Sequence, residues 1–347
     1  MDLNHAIRIL IVDDDDINLD MLRHILTESG YAVDTARGGR EAWEALSSRQ
    51  HRMVISDWEM PDGNGLDLCR RVRENDAAGY TYFILLTHRN KPEDIVRGMA
   101  NGADDFITKP FNPDEVRVRV RAGERSLSLE SRDIAIFAMA KLAESRDPET
   151  GGHLERIQGF SRILAERLLE KGKHPEITTA FVRTLFLTVP LHDIGKVGIP
   201  DSVLLKPSRL TDDEFDLMKT HTTIGANTLK AALQQYPEAE YLKMAHDIAL
   251  THHEKYDGTG YPNGRAGNDI PMAGRIAALV DVYDAVSSSR VYKRSFNYKI
   301  SRDIIIQGDG SHFDPELVKA FLEIEDRFIE IRNQFDNTIH EDLIRIP

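Results

Sequence analysis

Leu191-His192-Asp193-Ile194-Gly195-Lys196 places an imidazole and a carboxylate side by side among apolar residues, with a lysine three positions on. Neutral imidazole and a hard carboxylate both ligate first-row divalent metals, and a nearby ammonium can meet an anionic substrate oxygen. On its own the pair reads equally well as a hydrogen-bonded couple in a core. Its neighbours along the chain tilt the reading. Glu149 and His153 stand at i and i+4, His221 follows, His252-His253 is a vicinal pair, and Asp281 lies in an apolar helical run. A hydrophobic core has no need of so many imidazoles and carboxylates, so converging ligands explain them better than scattered surface charge does.

Composition sets outer bounds. A chain of 347 residues is long enough for two domains with separate cores. Cys69 is the single cysteine, which excludes an internal disulfide and a cysteine-rich zinc site and fits a reducing, cytoplasmic setting. The apolar run Ile7 to Val12 contains Arg8, is short and meets a run of aspartates, so it does not read as a signal peptide. No stretch approaches the length of a membrane span, so no membrane insertion is expected. A formal charge of −13 disfavours nonspecific binding to DNA or RNA, because counterion release needs clustered Lys and Arg. A nucleotide substrate would have to be held by a local basic cluster.

From Ile7 to about Arg125 short apolar segments alternate with amphipathic helices, the pattern of a parallel sheet covered on both faces. Strands are expected at Arg8–Asp13, Ala32–Ala36, Met53–Asp57, Tyr82–Thr87 and Asp105–Lys109. Function in such sheets gathers beyond the carboxyl ends of the strands, which directs attention to Asp13, Asp14, Asp57, Thr87 and Lys109. Three carboxylates at one edge repel each other unless a divalent cation joins them, and oxygen-only ligands suit Mg²⁺. A hydroxyl and an ammonium complete a place for a phosphoryl group.

Asp57 is followed by Met60-Pro61 and Gly65, then by Thr87, Phe106 and Lys109-Pro110, and with these motifs the first third of the chain resembles a response-regulator receiver domain. The resemblance implies a doubly wound (βα)5 α/β fold over residues 1–125 and phosphorylation of Asp57 by a cognate histidine kinase. It also implies Mg²⁺ held by Asp13 and Asp14, with Thr87 and Lys109 on the phosphoryl oxygens. Phe106 would be the aromatic that changes rotamer. His88 after the threonine and Glu59 two residues after the acceptor depart from the family pattern and bear on phosphoryl access and lifetime.

Val116, Val118 and Val120 alternate with arginines, which by period two would suggest a strand. Asn112-Pro113-Asp114-Glu115 decides against it, supplying an N-cap, a proline at the first position and acids in the first turn. Val116 and Val120 then share a helical face that Leu127, Ile134 and Phe137 extend. No Gly/Ser/Pro-rich linker separates Glu124 from Ser145, so residues 126–147 read as a helical connector able to carry motion between domains. Its apolar positions could pack on the second domain or on another subunit, and a homodimer stays open.

Beyond the connector the periodicity is helical, with hardly any strand-like run, and a bundle with ligands projecting inward is expected. Glu149 and His153 face one way if a helix has begun by Glu149, which Gly151-Gly152 weakens. His192-Asp193 reads as the end of one hydrophobic helix and His252-His253 as the end of another, while Arg275 to Ser287 is a small-residue helix carrying Asp281. In Glu254-Lys255-Tyr256-Asp257-Gly258-Thr259-Gly260-Tyr261-Pro262 the glycines permit turns and close backbone approach.

Together these stretches resemble the HD-GYP domain, a subgroup of the HD phosphohydrolases, placed at residues 148–347. The resemblance implies an all-α HD-type helical bundle that hydrolyses cyclic di-GMP to linear pGpG, with GMP as a further product left open. Its ligand positions are Glu149, His153, His192, Asp193, His221, His252, His253 and Asp281, holding two or three divalent ions, Fe or Mn ahead of Ni or Zn. Asp193 would bridge two metals and, with Lys196, belong to the catalytic machinery. Lys196, Arg290 and Lys293 would meet the substrate phosphates, and Tyr261 would lie beside the substrate. Val291 stands where the family usually has proline. The physical logic agrees: cations lower the pKa of water and screen the approach to an anionic diester, and lysine and arginine stabilise charge on the phosphoryl oxygens.

A rival of another class is a catalytically weak module that senses cyclic di-GMP or acts through protein contacts. A hydrolase for a different nucleotide is disfavoured by the glycine-tyrosine-proline loop. His246 reads as a solvated helix position, His312 as a capping or packing residue before a late helix, and His174 and His340 have no partner that the sequence names.

Overall fold

The computed structural model describes residues 7–48, 50–61, 63–74, 80–88, 92–146, 152–287 and 298–344. Glu149, Arg290, Val291 and Lys293 lie outside them. The chain divides into two compact units between Arg132 and Asp133.

The first unit is built on five strands, β1 (Arg8–Val12), β2 (Ala32–Ala36), β3 (Met53–Asp57), β4 (Tyr82–Thr87) and β5 (Asp105–Thr108), in the order β2-β1-β3-β4-β5. Every pairing is parallel. Helices α1 (Asp16–Glu28), α2 (Gly39–Ser47), α3 (Gly65–Glu74), α4 (Pro92–Ala100) and α5 (Pro113–Glu144) connect or follow the strands. Successive side chains alternate between faces. Ile9, Ile11, Ile55 and Ile84 pack with Leu22 and Leu26 of α1 and Val116 and Val120 of α5. Leu10, Val12, Val54 and Phe83 pack with Leu66, Leu68 and Val72 of α3. With both faces covered the strands need no polar alternation, which is why they read as continuous apolar runs. The strand order reverses at β1 and β3, so their carboxyl ends flank the functional crevice of a doubly wound sheet. β1 and β5 each stop one residue earlier than expected, leaving Asp13 and Lys109 just past the strand ends.

The side chain of Asn112 accepts from the Asp114 amide at 2.8 Å and starts α5, which runs unbroken for 32 residues. Its apolar stripe differs from the expected one. Val116, Val120 and Leu127 are buried, but Ile134 is 54% exposed and Ile136 and Ala140 take its place. A straight helix drifts from a heptad repeat, and Ile136 and Ala140 belong to a second cluster with Leu154, Leu191, Ala245 and Ala249.

The second unit is helical: α6 (His153–Lys171), α7 (Thr179–Thr188), α8 (Asp201–Leu204), α9 (Asp212–Lys219), α10 (His221–Gln235), α11 (Glu240–Thr251), α12 (Met272–Ser287), α13 (Tyr298–Gln307), α14 (Pro315–Glu323) and α15 (Glu325–Ile344). Its core joins α6, α12, α14 and α15 around Phe160, Tyr283, Phe321 and Phe328, with the Phe160 and Phe328 rings stacked at 4.8 Å. α12 approaches α11 closely because Gly274 faces Thr251, whose Oγ1 would lie 2.0 Å from any added Cβ. Among the described residues no helix is long and apolar enough to cross a membrane.

The sequence suggested that His192-Asp193 ends a hydrophobic helix, and here the structure differs. α7 stops at Thr188, the chain makes a 3-10 turn over Val189–Leu191, and a second follows over Ile194–Gly198. Pro190 has no N–H with which to continue an α-helix. His192 and Asp193 therefore sit at the joint between two tight turns.

Candidate functional site

Two adjacent groups of potential ligands form in the helical unit. One atom each from Asp193, His221, His252 and His253 lie within 4.8 Å of one another, as do atoms from His153, His192 and Asp281. Asp193 stands between the groups. Its Oδ1 lies 3.2 Å from His221 Nε2 and 3.6 Å from His252 Nε2, while its Oδ2 lies 3.3 Å from His192 Nε2. Asp281 Oδ1 is 4.0 Å from the same His192 nitrogen. Lys196 Nζ pairs with Asp193 Oδ2 at 2.8 Å.

The far side of each imidazole shows which nitrogen faces the centre. His192 Nδ1 donates to the Val189 carbonyl at 3.0 Å, His221 Nδ1 to Met218 at 2.8 Å and His252 Nδ1 to Ile248 at 3.1 Å. A ring nitrogen against a carbonyl carries a proton, so Nε2 is the nitrogen turned inward in each ring, the orientation metal-ligating histidines adopt. These carbonyls belong to helix ends and turns, and those of Val189 and Ile248 also accept the backbone N–H of the same histidine, His192 and His252. His153 is held differently: its Nδ1 lies 2.8 Å from Asp284 Oδ2, and Asp284 in turn accepts from Arg156 Nε at 2.6 Å.

Electrostatics fit a site for cations. Burial works against charging His192, but Asp193 and Asp281 outweigh it and hold its pKa up at about 9. Burial also works against ionised Asp193, yet Lys196 and His192 hold it well below the usual carboxylate range. Burial depresses His252 and His253, and for His253 the neighbouring imidazoles add to the effect. Among the described residues, His192 Nε2 and Asp193 Oδ1 are buried without a hydrogen-bond partner. Buried polar atoms left unsatisfied are costly, and an imidazole nitrogen and a carboxylate oxygen are both atoms that can ligate a divalent ion.

The loop after α11 covers this cluster. Tyr261 stacks on His253 with ring centroids 4.8 Å apart, and Lys219 Nζ lies 5.8 Å from the Tyr261 ring. Glu254 is buried and accepts from the amides of Asn263 at 2.8 Å and Arg265 at 3.1 Å, fixing the loop against the end of α11. Sequence reading missed Glu254, Asp284 and Arg156. The i, i+3 spacings His153 to Arg156 and Asp281 to Asp284 were the available signals. Among the histidines set aside, His246 pairs with its neighbour Asp247, and His312 stacks on Phe313 while Asp314 caps α14.

In the first unit Asp13, Asp14 and Asp57 bring one carboxylate oxygen each within 4.8 Å of one another. Lys109 Nζ donates to Asp13 Oδ2 at 2.8 Å and to Asp57 Oδ2 at 2.7 Å. Burial raises the Asp57 pKa against the opposing pull of Lys109. Thr87 is buried at the end of β4, and Phe106 lines a small pocket with Thr87, Trp58 and Leu85.

A carboxylate-lysine crevice on a doubly wound sheet, followed in the same chain by a helical His/Asp cluster, defines a class: response regulators whose output is an HD-type hydrolase domain. The Response regulator receiver domain family matches residues 9–121 and the HD domain family matches residues 138–317. The chain belongs to the HD domain family and carries a response-regulator receiver domain ahead of it, the combination of the HD-GYP response regulators. It is 38% identical to a Vibrio cholerae protein named "Probable cyclic di-GMP phosphodiesterase", over 94% of this chain and 80% of that one. A "Cyclic di-GMP phosphodiesterase" of Thermotoga maritima is 32% identical over 96% of this chain and 95% of its own length. The "Cyclic di-GMP phosphodiesterase response regulator RpfG" of Xanthomonas campestris pv. campestris is 33% identical over 95% and 91%.

Proposed function

We propose that this chain is a cytoplasmic response regulator that hydrolyses cyclic di-GMP to linear pGpG, under the control of phosphorylation at Asp57 by a histidine kinase. The observation that carries the reading is the convergence of His153, His192, Asp193, His221, His252, His253 and Asp281 on one pair of adjacent ligand groups. The relatives' names supply the substrate class.

In this reading His221, His252 and His253 with Asp193 hold one divalent ion, and His153, His192 and Asp281 with Asp193 hold another, with Fe or Mn favoured. Glu149 is placed to add a ligand by its position in the sequence alone. When bound, such ions make water nucleophilic at neutral pH and act as Lewis acids toward a phosphoryl oxygen. The protein's own part is to orient and to neutralise. Asp193 presents one oxygen to each ligand group, and Lys196 lies where an ammonium can meet a non-bridging phosphate oxygen. Arg290 and Lys293 are proposed to meet the phosphates as well. Tyr261, stacked over His253, offers a flat apolar surface beside the substrate and helps to exclude water.

In the receiver unit, Asp57 is the proposed acceptor, Asp13 and Asp14 the Mg²⁺ ligands, and Lys109 and Thr87 the groups that meet the phosphoryl oxygens. The test for the output is direct: load the purified chain with Fe²⁺ anaerobically or with Mn²⁺, add cyclic di-GMP and chromatograph the products. Linear pGpG is expected. Product no greater than that of a His192→Ala, Asp193→Ala double variant would favour a binding module instead.

A further inference from the structure

We infer that Arg146 is a positioning residue for Lys196, holding the turn that aims the lysine at the site; the inference rests on the hydrolase reading above. Arg146 lies just beyond the end of α5, and its guanidinium reaches across to the 3-10 turn Ile194–Gly198 and the residues after it. Nη1 donates to the carbonyls of Lys196 at 3.4 Å and of Val197. Nη2 donates to the carbonyl of Ile199 at 3.2 Å and to Asp201 Oδ1 at 2.6 Å. One planar fork thus spans three main-chain acceptors, those of Lys196, Val197 and Ile199, and a carboxylate.

Two physical points give that contact meaning. Carbonyls at the C-terminal end of a helix carry partial negative charge and have a second lone pair to offer, as that of Lys196 does while accepting the Ile199 N–H, so a cation is attracted there. Arginine's fork is preorganised for several acceptors at once, whereas lysine supplies a single point of charge. The other side of the turn is fixed by a different means. A Cβ on Gly195 would lie 1.9 Å from the His221 carbonyl oxygen and 2.5 Å from the Gly225 amide nitrogen, so the turn rests directly on the backbone of α10. Lys196 stands between these two supports, with its Nζ 2.8 Å from Asp193. A lysine has a long, freely rotating stem, so the place its ammonium can reach is set by where its backbone is held. Loosening the Arg146 side should leave the ligands in place and spoil the aim of Lys196.

The experiment uses the full chain loaded with Mn²⁺ and compares Arg146→Ala, Arg146→Lys, Asp201→Ala, Lys196→Ala and the Arg146→Ala, Lys196→Ala double variant. Readouts are kcat and KM for cyclic di-GMP, bound manganese, and amide hydrogen exchange over residues 194–199. Arg146→Ala is expected to lower kcat/KM on the order of tenfold to a hundredfold, the scale of a small misplacement of a reacting group. Manganese content should be unchanged and exchange in the turn should rise. The same change made in the Lys196→Ala background should cost nothing further. Arg146→Lys should fail to rescue, and Asp201→Ala, which removes one contact of several, should have a small effect. Equal losses in both backgrounds, loss of manganese in step with activity, unchanged exchange, or full rescue by lysine would each overturn the inference. If Arg146→Ala does not fold, Arg146→Gln carries the same comparison. If the wild-type chain leaves cyclic di-GMP intact, that reading of the substrate fails. The exchange measurement and turnover of bis(4-nitrophenyl) phosphate then decide the role of Arg146 by the same criteria.

Discussion

Asp284 stands directly behind His153, its Oδ2 2.8 Å from the imidazole Nδ1, while Arg156 fixes the same carboxylate with contacts of 2.6 and 2.9 Å. All three side chains are buried. The carboxylate fixes the tautomer and direction of the ring, so that the other nitrogen is available to a metal, and Arg156 keeps the carboxylate ionised and in place. Burial alone would raise the Asp284 pKa, but His153 and Arg156 hold it below the usual carboxylate value.

Asp284→Asn should therefore weaken metal binding without touching a ligand. Outer partners of metal-bound histidines are worth about 10- to 100-fold in affinity. Titrating the metal-free protein with Mn²⁺ should show the weaker site. Asp284→Ala should do more, because it takes a charged partner away from a buried guanidinium, and removing one member of such a pair costs about 3–5 kcal/mol. Denaturant unfolding of both variants measures the difference.

Glu254 accepts two main-chain N–H groups across the loop that bears Tyr261. Hydrogen bonds to charged groups contribute about 1.5–3 kcal/mol each, so Glu254→Ala should free the loop even though the helical core is untouched. The expected outcome is a KM several times higher with a smaller change in kcat, and faster proteolysis within residues 255–265. A kcat loss with KM unchanged would place Glu254 in the chemistry rather than in holding the loop.

The parts of the fold carried by periodicity were plain in the sequence. Strands buried on both faces read as apolar runs, and the proposed ligands stood out as His-Asp and His-His doublets because neighbours in the chain are neighbours in space. What stayed hidden depends on contacts between distant residues. Asp284 looks like surface charge on a helix until Arg156, 128 residues away, is seen against it. Arg146 was invisible as an anchor because most of its acceptors are carbonyls, which every residue has. The stripe on α5 was misread at Ile134 because the helix changes partners along its length, and a fixed repeat cannot show where that happens.

Lys109 bridges Asp13 and Asp57, so the proposed acceptor is preassembled next to the cation that would receive a phosphoryl oxygen. Incubation with a small phosphodonor such as acetyl phosphate and Mg²⁺ should label the wild-type chain and leave Asp57→Asn unlabelled, as intact mass would show. Beryllofluoride should alter the rate of cyclic di-GMP hydrolysis in the wild type and have no effect on Asp57→Asn. An equal response in both would separate the output from this aspartate.

Gly195 touches backbone on α10 where Gly198, in the same turn, faces the side chain of Ile224, whose Cγ2 would lie 2.9 Å from an added Cβ. A side chain can turn aside, but the His221 carbonyl cannot move without taking its imidazole along. Overpacking typically costs about 1–3 kcal/mol, and Gly195→Ala should fall at the upper end of that range while Gly198→Ala falls at the lower. The two should also differ in kind. Because the methyl at residue 195 pushes on the residue that bears a proposed ligand, Gly195→Ala should lose bound manganese, and Gly198→Ala should keep it. Metal analysis alongside thermal unfolding distinguishes them, and a Gly195→Ala protein with full metal content would show that α10 can retreat without disturbing His221.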